Sequence, residues 1–212
     1  MRLFVPALAT LALMTTPAAA QSGVGFEIDG QAYELTLPEG FCVPSGQQRE
    51  ISSYIASLDT ANDTKADLQR CGTFGTDYVH IKVQKQRVPI NIPRAQFIDL
   101  ISAHMRTQMG QEAMSGAAAD VEQHVGKETE GGIKMRETGT AFGGKDEECA
   151  YIIGSSMVEV DGQAERVLFG TCLTVIGGYS IAINSYGLES GGATIEELSQ
   201  RSRRIAGLIE VQ

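Results

Sequence analysis

The chain has 212 residues, 42% of them hydrophobic, with 26 acidic residues against 17 basic ones and no tryptophan. That length supports one domain with a sizeable core and is short for two generous ones. The formal net charge of −9 sets the chain against nucleic acid and anionic membrane surfaces, whose phosphates repel it.

Residues 1–20 read as a cleavable secretory signal peptide. Arg2 supplies the positive start, Leu3 to Met14 the apolar core, and Pro17-Ala18-Ala19-Ala20 a small-residue cleavage stretch. The apolar core is short of the roughly 20 residues that a bilayer-crossing helix needs, and Pro6 and Pro17 bracket it. The first cysteine is Cys42, so the lipid-bearing thiol of a bacterial lipoprotein is missing near the cut. These features predict cleavage between Ala20 and Gln21 and a soluble periplasmic or secreted product, with no transmembrane segment after cleavage. Residues 21–212 then form a single exported α+β domain. With Arg2 removed, 16 basic residues face 26 acidic ones and the net charge becomes −10.

Cys42, Cys71, Cys149 and Cys172 all lie in the exported part. In an oxidising compartment an even count favours two disulfides, of which four cysteines allow three connectivities. Cys42–Cys71 and Cys149–Cys172 are the preferred pairs. The absence of any C-x-x-C removes support for zinc ribbons and thioredoxin-like centres.

Phe26 to Ile28, Asp29-Gly30 and Gln31 to Leu37 predict a β-hairpin, because Gly accepts the positive φ of a two-residue turn. Ser45 and Gln48 have capping-box spacing before a helix whose stripe is Ile51, Tyr54, Ile55 and Leu58. Asp59 to Lys65 reads as a polar loop and Leu68 to Cys71 as extended. Tyr78 to Gln84 alternates, with Val79, Ile81 and Val83 on a buried face and Tyr78, His80 and Lys82 on a polar one. A second helix begins after Pro93 and runs to about Met109, where Gly110 closes it. Its stripe is Phe97, Leu100, Ile101, His104 and Met105, and Glu112 to Val125 adds a short Ala-rich helix.

From Ile133 the texture becomes strands separated by glycines: Ile133 to Phe142, Cys149 to Val160, Glu165 to Ile176 and Tyr179 to Tyr186. Asp161-Gly162 and Gly177-Gly178 are hairpin turns, so the last three strands form an antiparallel meander. Pairing Val160 with Gln163 sets Cys149 opposite Thr174 and leaves Cys172 a diagonal neighbour on the same face, the geometric reason for that disulfide. Thr194 to Glu197 is a capping box before a final helix lined by Ile195, Leu198, Ser202, Ile205 and Ile209. Arg201, Arg203 and Arg204 lie in its later half, where cations complement the helix dipole. Glu27-Ile28-Asp29-Gly30-Gln31-Ala32 and Glu159-Val160-Asp161-Gly162-Gln163-Ala164 differ at one position, which shared hairpin chemistry explains better than duplication.

This order of elements, with the early Leu35-Thr36-Leu37-Pro38-Glu39-Gly40-Phe41 segment, resembles the Mog1/PsbP-like α/β sandwich proteins. The resemblance implies a twisted antiparallel β-sheet flanked by helices, a C-terminal helix, and an accessory or binding role rather than catalysis. It assigns no functional residue, and the four cysteines fall outside its pattern.

The chemistry-bearing residues are dispersed. His80, His104 and His124 lack any H-x-x-x-H or H-E-x-x-H spacing, so the sequence calls for no metal, and nothing in it calls for a cofactor. His104 falls on an apolar stripe as a core histidine, and His80 is the candidate for catalysis. Gly154-Ser155-Ser156-Met157 is not a nucleophile elbow. Asp146-Glu147-Glu148 lacks the spacing of a calcium loop and reads as a solvated turn. Asn62-Asp63-Thr64 is a glycosylation sequon, without consequence in the bacterial source that the Ala-rich leader suggests. The expected function is that of a non-enzymatic accessory or binding protein of the cell envelope, its partner an unknown small molecule or envelope protein. A groove between sheet and helices is the place for it. The alternatives are a small periplasmic hydrolase using dispersed carboxylates with His80 or His104, and a structural subunit of an envelope complex.

Overall fold

Three tight turns organise the strands. Asp29-Gly30, Asp161-Gly162 and Gly177-Gly178 all have positive φ at both positions, the conformation of a two-residue hairpin loop that matches strand twist. The structure, a computed structural model, describes residues 23–129 and 132–212. The expected signal peptide and its cleavage point lie outside the described residues.

The first hairpin joins β1 (Gly23–Ile28) to β2 (Gln31–Thr36), and a short β3 (Phe41–Cys42) follows. After α1 (Gln47–Ser57) come β4 (Asn62–Arg70) and β5 (Asp77–Gln84), then α2 (Arg94–Met105) and α3 (Gln108–Glu128). Four long strands follow: β6 (Ile133–Lys145), β7 (Ala150–Val160), β8 (Gln163–Ile176) and β9 (Tyr179–Leu188). The chain closes with α4 (Ile195–Ala206) and β10 (Ile209–Val211). Every pairing is antiparallel. One sheet has the order β3-β4-β5-β9-β8-β7-β6 and the other β1-β2-β10.

One face of the large sheet, with Leu68, Val79, Ile81, Ile181 and Ile183, packs with Ile28, Tyr33 and Leu35 of the small sheet and Ile205 of α4. Register places Phe142, Ile152, Thr171, Asn184 and His80 on the opposite face, where Arg106 rests on the Phe142 ring. The large sheet therefore lies between helices, with α2 and α3 on one face and α4 with the small sheet on the other, an α+β architecture.

Val160 pairs with Gln163, and the ladder runs unbroken to Ala150 opposite Leu173. Cys149 and Cys172 are bonded at a Cα separation of 5.1 Å, and Cys42 and Cys71 at 5.2 Å. The Cys149–Cys172 bridge is fully buried in the core, whereas Cys42 and Cys71 are exposed.

Several local expectations are corrected. The helix α1 takes Gly46 as its N-cap, with no side-chain cap, and buries Ser52. Ile51, Tyr54 and Ile55 remain about half exposed, because α1 meets the sheet mainly at β4, near its edge. The expected loop at residues 59–65 becomes strand from Asn62, so the sequon lies in β4; pairing with β5 overrides its polar composition. The second helix stops at Met105, since Thr107 accepts a hydrogen bond from the Gly110 amide and caps a separate 21-residue α3. Its buried face is Ile98, Ser102 and Met105, which turns Leu100 and His104 to the exterior. The last helix stops at Ala206, and Ile209 instead pairs with Leu35 on the open edge of β2. Its capping box is present: Thr194 Oγ1 accepts from the Glu197 amide at 3.2 Å and donates to Glu197 Oε2 at 3.0 Å.

Candidate functional site

Helix α4 lies unusually close to the sheet. A Cβ on Gly170 would fall 2.6 Å from the Ser199 nitrogen, so this contact requires glycine. Ser202, fully buried, donates to the Gly170 carbonyl at 2.7 Å and meets Ser185 Oγ at 2.8 Å. The helix is thereby fixed against β8 and β9, and one face of it, with Glu197, Arg201, Arg204 and Ile205, forms a wall.

Facing that wall are the segment after β2, the end of β4, the start of β5 and the turn after β9. Together they enclose an open groove of about 1300 Å³, lined among others by Pro38, Phe41, Asp77, Leu188, Gly191 and Arg204. The turn closes because residue 187 is glycine: a Cβ there would lie 2.7 Å from Ala193 Cβ.

The charges of the groove are organised by Asp77. Arg70 donates through Nε at 3.1 Å and approaches through Nη2 at 3.0 Å, both to Asp77 Oδ2. Arg201 binds the same carboxylate through Nη1 on Oδ1 and Nη2 on Oδ2. Both guanidiniums also sit over the Phe41 ring, at 4.9 Å and 5.2 Å from its centroid, a favourable placement of cations on an aromatic face. Arg204 lines the groove with no ion-pair partner among the described residues, while Glu197 is engaged with Thr194. Guanidiniums stay charged across the physiological range. The groove therefore carries fixed positive charges beside the carboxylates of Glu39, Asp77 and Glu197.

The basic cluster of α4 accordingly divides. Arg201 is a groove residue, not mere surface charge. Arg203 turns away to Asp146 at 3.2 Å and Glu148 at 3.7 Å. Asp146 accepts from the amides of Glu148 and Cys149 and from the Tyr151 hydroxyl, so the acidic run forms the β6–β7 turn.

His80 does not project into solvent as expected; it is 7% exposed. The Tyr78 and Tyr186 rings lie 5.1 and 5.6 Å from it and stack on each other at 4.6 Å. Its Nε2 is 3.5 Å from Asp67 Oδ1. Burial, aided by Lys82, pushes the imidazole down to about 3, and burial pushes the Asp67 carboxyl up to about 6 despite a 3.0 Å hydrogen bond from Gln69. An imidazole so depressed is a weak proton acceptor at neutral pH. Asp67 Oδ2 and Thr64 Oγ1 are buried without a hydrogen-bond partner, and both residues line a smaller pocket of about 290 Å³ beside α1. His104 is exposed on α2 and His124 lies in α3, so the three histidines belong to separate elements. Among the described residues no cluster of His, Cys, Asp and Glu could hold a metal ion.

Arg70 and Asp77 carry no sequence signal, because their chemistry exists only once four distant segments meet. Phe41 and Arg201 were legible as parts of an early segment and a basic cluster, but not as neighbours.

No family model matches the chain, and no curated protein matches it. Among solved structures the chain is similar to the solution structure of cyanobacterial PsbP (CyanoP) from Synechocystis sp. PCC 6803. Identity is 12%, coverage is 93% of this chain and 96% of that one, and the TM-score is 0.46. The likeness concerns the arrangement of elements. Function is not carried across it, since one fold serves many functions.

Proposed function

We propose that residues 21–212 act, after removal of residues 1–20, as a soluble periplasmic or secreted binding protein that serves an accessory role in the cell envelope without catalysing a reaction. Two disulfides suit an oxidising compartment. Among the described residues no helix is long and apolar enough to cross a membrane. The observation that carries the binding reading is the groove itself: fixed walls, a mixed polar and apolar lining and preorganised arginines, with Asp77 locked between two guanidiniums. Such an arrangement offers orientation and charge complementarity.

Thermal-shift measurements with envelope lipids, glycans, peptides and partner fractions test this on two proteins, wild type and Gly191→Trp. Gly191 lines the groove and a Cβ on it would meet nothing closer than Leu188 Cβ at 3.8 Å, so a bulky side chain is introduced there to obstruct the groove. A shift in the wild type that disappears in Gly191→Trp supports the reading. A ligand that stabilises both proteins equally contradicts it.

A further inference from the structure

We infer that the smaller pocket beside α1 is a second binding site, separate from the groove, which takes a free α-amino acid with a small apolar side chain. Its construction begins with an irregularity in β4. Residues three apart on a regular strand point to opposite faces. Thr64 nevertheless pairs with Lys82 and Asp67 with His80, two residues of one face of β5, because the register shifts between Thr64 and Ala66. The extra residue, Lys65, thus brings Thr64 and Asp67 onto the same face, as bulges beside binding sites do when they re-aim a side chain. Along this stretch β4 has no outer strand, since β3 pairs with it at Gln69 and Arg70, and α1 stands there instead.

Three polar groups lining this pocket of about 290 Å³ are poorly matched. Thr64 Oγ1 and Asp67 Oδ2 are buried with no hydrogen bond, because Gln69 and His80 both approach the other carboxylate oxygen, Oδ1. The Lys65 side chain is 19% exposed, and its ion-pair contact among the described residues is Asp63 Oδ2 at 3.9 Å, an oxygen that Arg87 already holds at 3.0 Å. Lys65 and Asp67 do not pair with each other. An unmatched cation and an unmatched carboxylate in one small cavity call for a ligand bearing both charges, since buried polar groups are costly when unmet. A plain amine would be repelled by Lys65 and by Arg49, which also lines the pocket, and a plain carboxylate by Asp67. A zwitterion answers both, with its ammonium at Asp67 Oδ2 and Thr64 Oγ1 and its carboxylate at Lys65. Val24, Val43, Pro44 and Ala56 supply apolar lining for its side chain. The volume lies at the small end of the roughly 300–1,000 Å³ of ligand pockets, which suits one amino acid rather than a peptide.

The probes are L-valine and its two halves, isovalerate without the amine and isobutylamine without the carboxylate. Each is titrated calorimetrically well above the Asp67 value of about 6. L-Valine is expected to bind wild type about tenfold more tightly than either half, in line with charge-assisted bonding. Asp67→Asn should erase the advantage of valine over isovalerate, and Lys65→Gln its advantage over isobutylamine, a crossed pattern that unfolding does not produce. Ser53→Trp, at an exposed position lining the pocket, should remove valine binding, whereas Gly191→Trp should leave it unchanged. Valine that binds no more tightly than its halves, or not at all, overturns the inference. Binding that survives Ser53→Trp also overturns it, as does binding lost in Gly191→Trp, which would assign the amino acid to the groove. None of these results bears against the groove, which its own thermal-shift comparison judges.

Discussion

Asp77 at the start of β5 and Arg201 on α4 are 124 residues apart in the chain and share a two-point ion pair. This pair couples the start of β5, an inner strand of the large sheet, to the terminal helix, and so ties the stability of the fold to the shape of the groove. The side chains of Arg201 and Asp77 are 15% and 23% exposed, which leaves the contact less screened than a surface pair. Asp77→Ala should lower stability by about 2 kcal/mol, since it leaves two guanidiniums without their acceptor. Arg70→Ala should lower it less, because the Arg70 side chain is 45% exposed. Urea denaturation of the two variants checks this; an equal effect would contradict it.

Gly170 is predicted to be indispensable to the position of α4. Its Cβ would meet the Ser199 and Leu198 backbone, and backbone cannot rotate aside as a side chain can. Gly170→Ala should cost about 2–3 kcal/mol as an overpacking change and weaken groove binding as the wall moves. Retained stability with unchanged ligand affinity would show that the helix seats elsewhere.

The two disulfides should reduce in order of exposure. Under mild reductant Cys42–Cys71, whose residues are exposed, should open first, and the buried Cys149–Cys172 should resist until the core unfolds. Alkylation and peptide mass mapping over time report the order. Serine at both Cys149 and Cys172 should cost about 2–4 kcal/mol.

The buried Asp67 and His80 pull the pH dependence of stability in opposite directions. His80 titrates near 3 when folded against 6.5 ordinarily, so the unfolded chain binds its proton first and stability is lost as pH falls from about 6.5 toward 3. Asp67 titrates near 6 against 3.8, so the folded chain binds its proton more tightly and stability is lost as pH rises from about 4 to 6. The two slopes oppose each other across that shared window. Asp67→Asn removes the second slope, and its stability should therefore rise more steeply than that of wild type between about pH 4 and pH 6. Parallel urea midpoints across that range would rule out the Asp67 contribution.

What the sequence disclosed followed local physics. Asp29-Gly30, Asp161-Gly162 and Gly177-Gly178 dictate their turns, and the alternation of Val79, Ile81 and Val83 identifies a buried face, because both signals lie within a few residues. The Val160–Gln163 register carries through the whole β7–β8 ladder, since an antiparallel pair without a bulge keeps its count. Where burial depends on distant partners the signal fails. Ile51, Tyr54 and Ile55 form a sound apolar stripe, yet α1 packs mainly on β4, one strand in from the sheet edge, and leaves them about half exposed. Ile209 continues the helical spacing of Ile205, yet the open edge of β2 claims it. His80 alternates onto a polar face that aromatic neighbours from β5 and β9 then cover. The groove was foreseeable as a place between sheet and helix, whereas the Arg70–Asp77–Arg201 constellation within it depends on tertiary contacts alone.

The most direct test of the groove as the binding site is amide chemical-shift mapping on the isotope-labelled protein during titration with a ligand found by thermal shift. Perturbed amides are expected to cluster at Phe41, Asp77, Leu188, Gly191, Arg201 and Arg204. Perturbations confined to Asp67, Tyr78, His80 and Tyr186, with the groove amides unmoved, would contradict binding there.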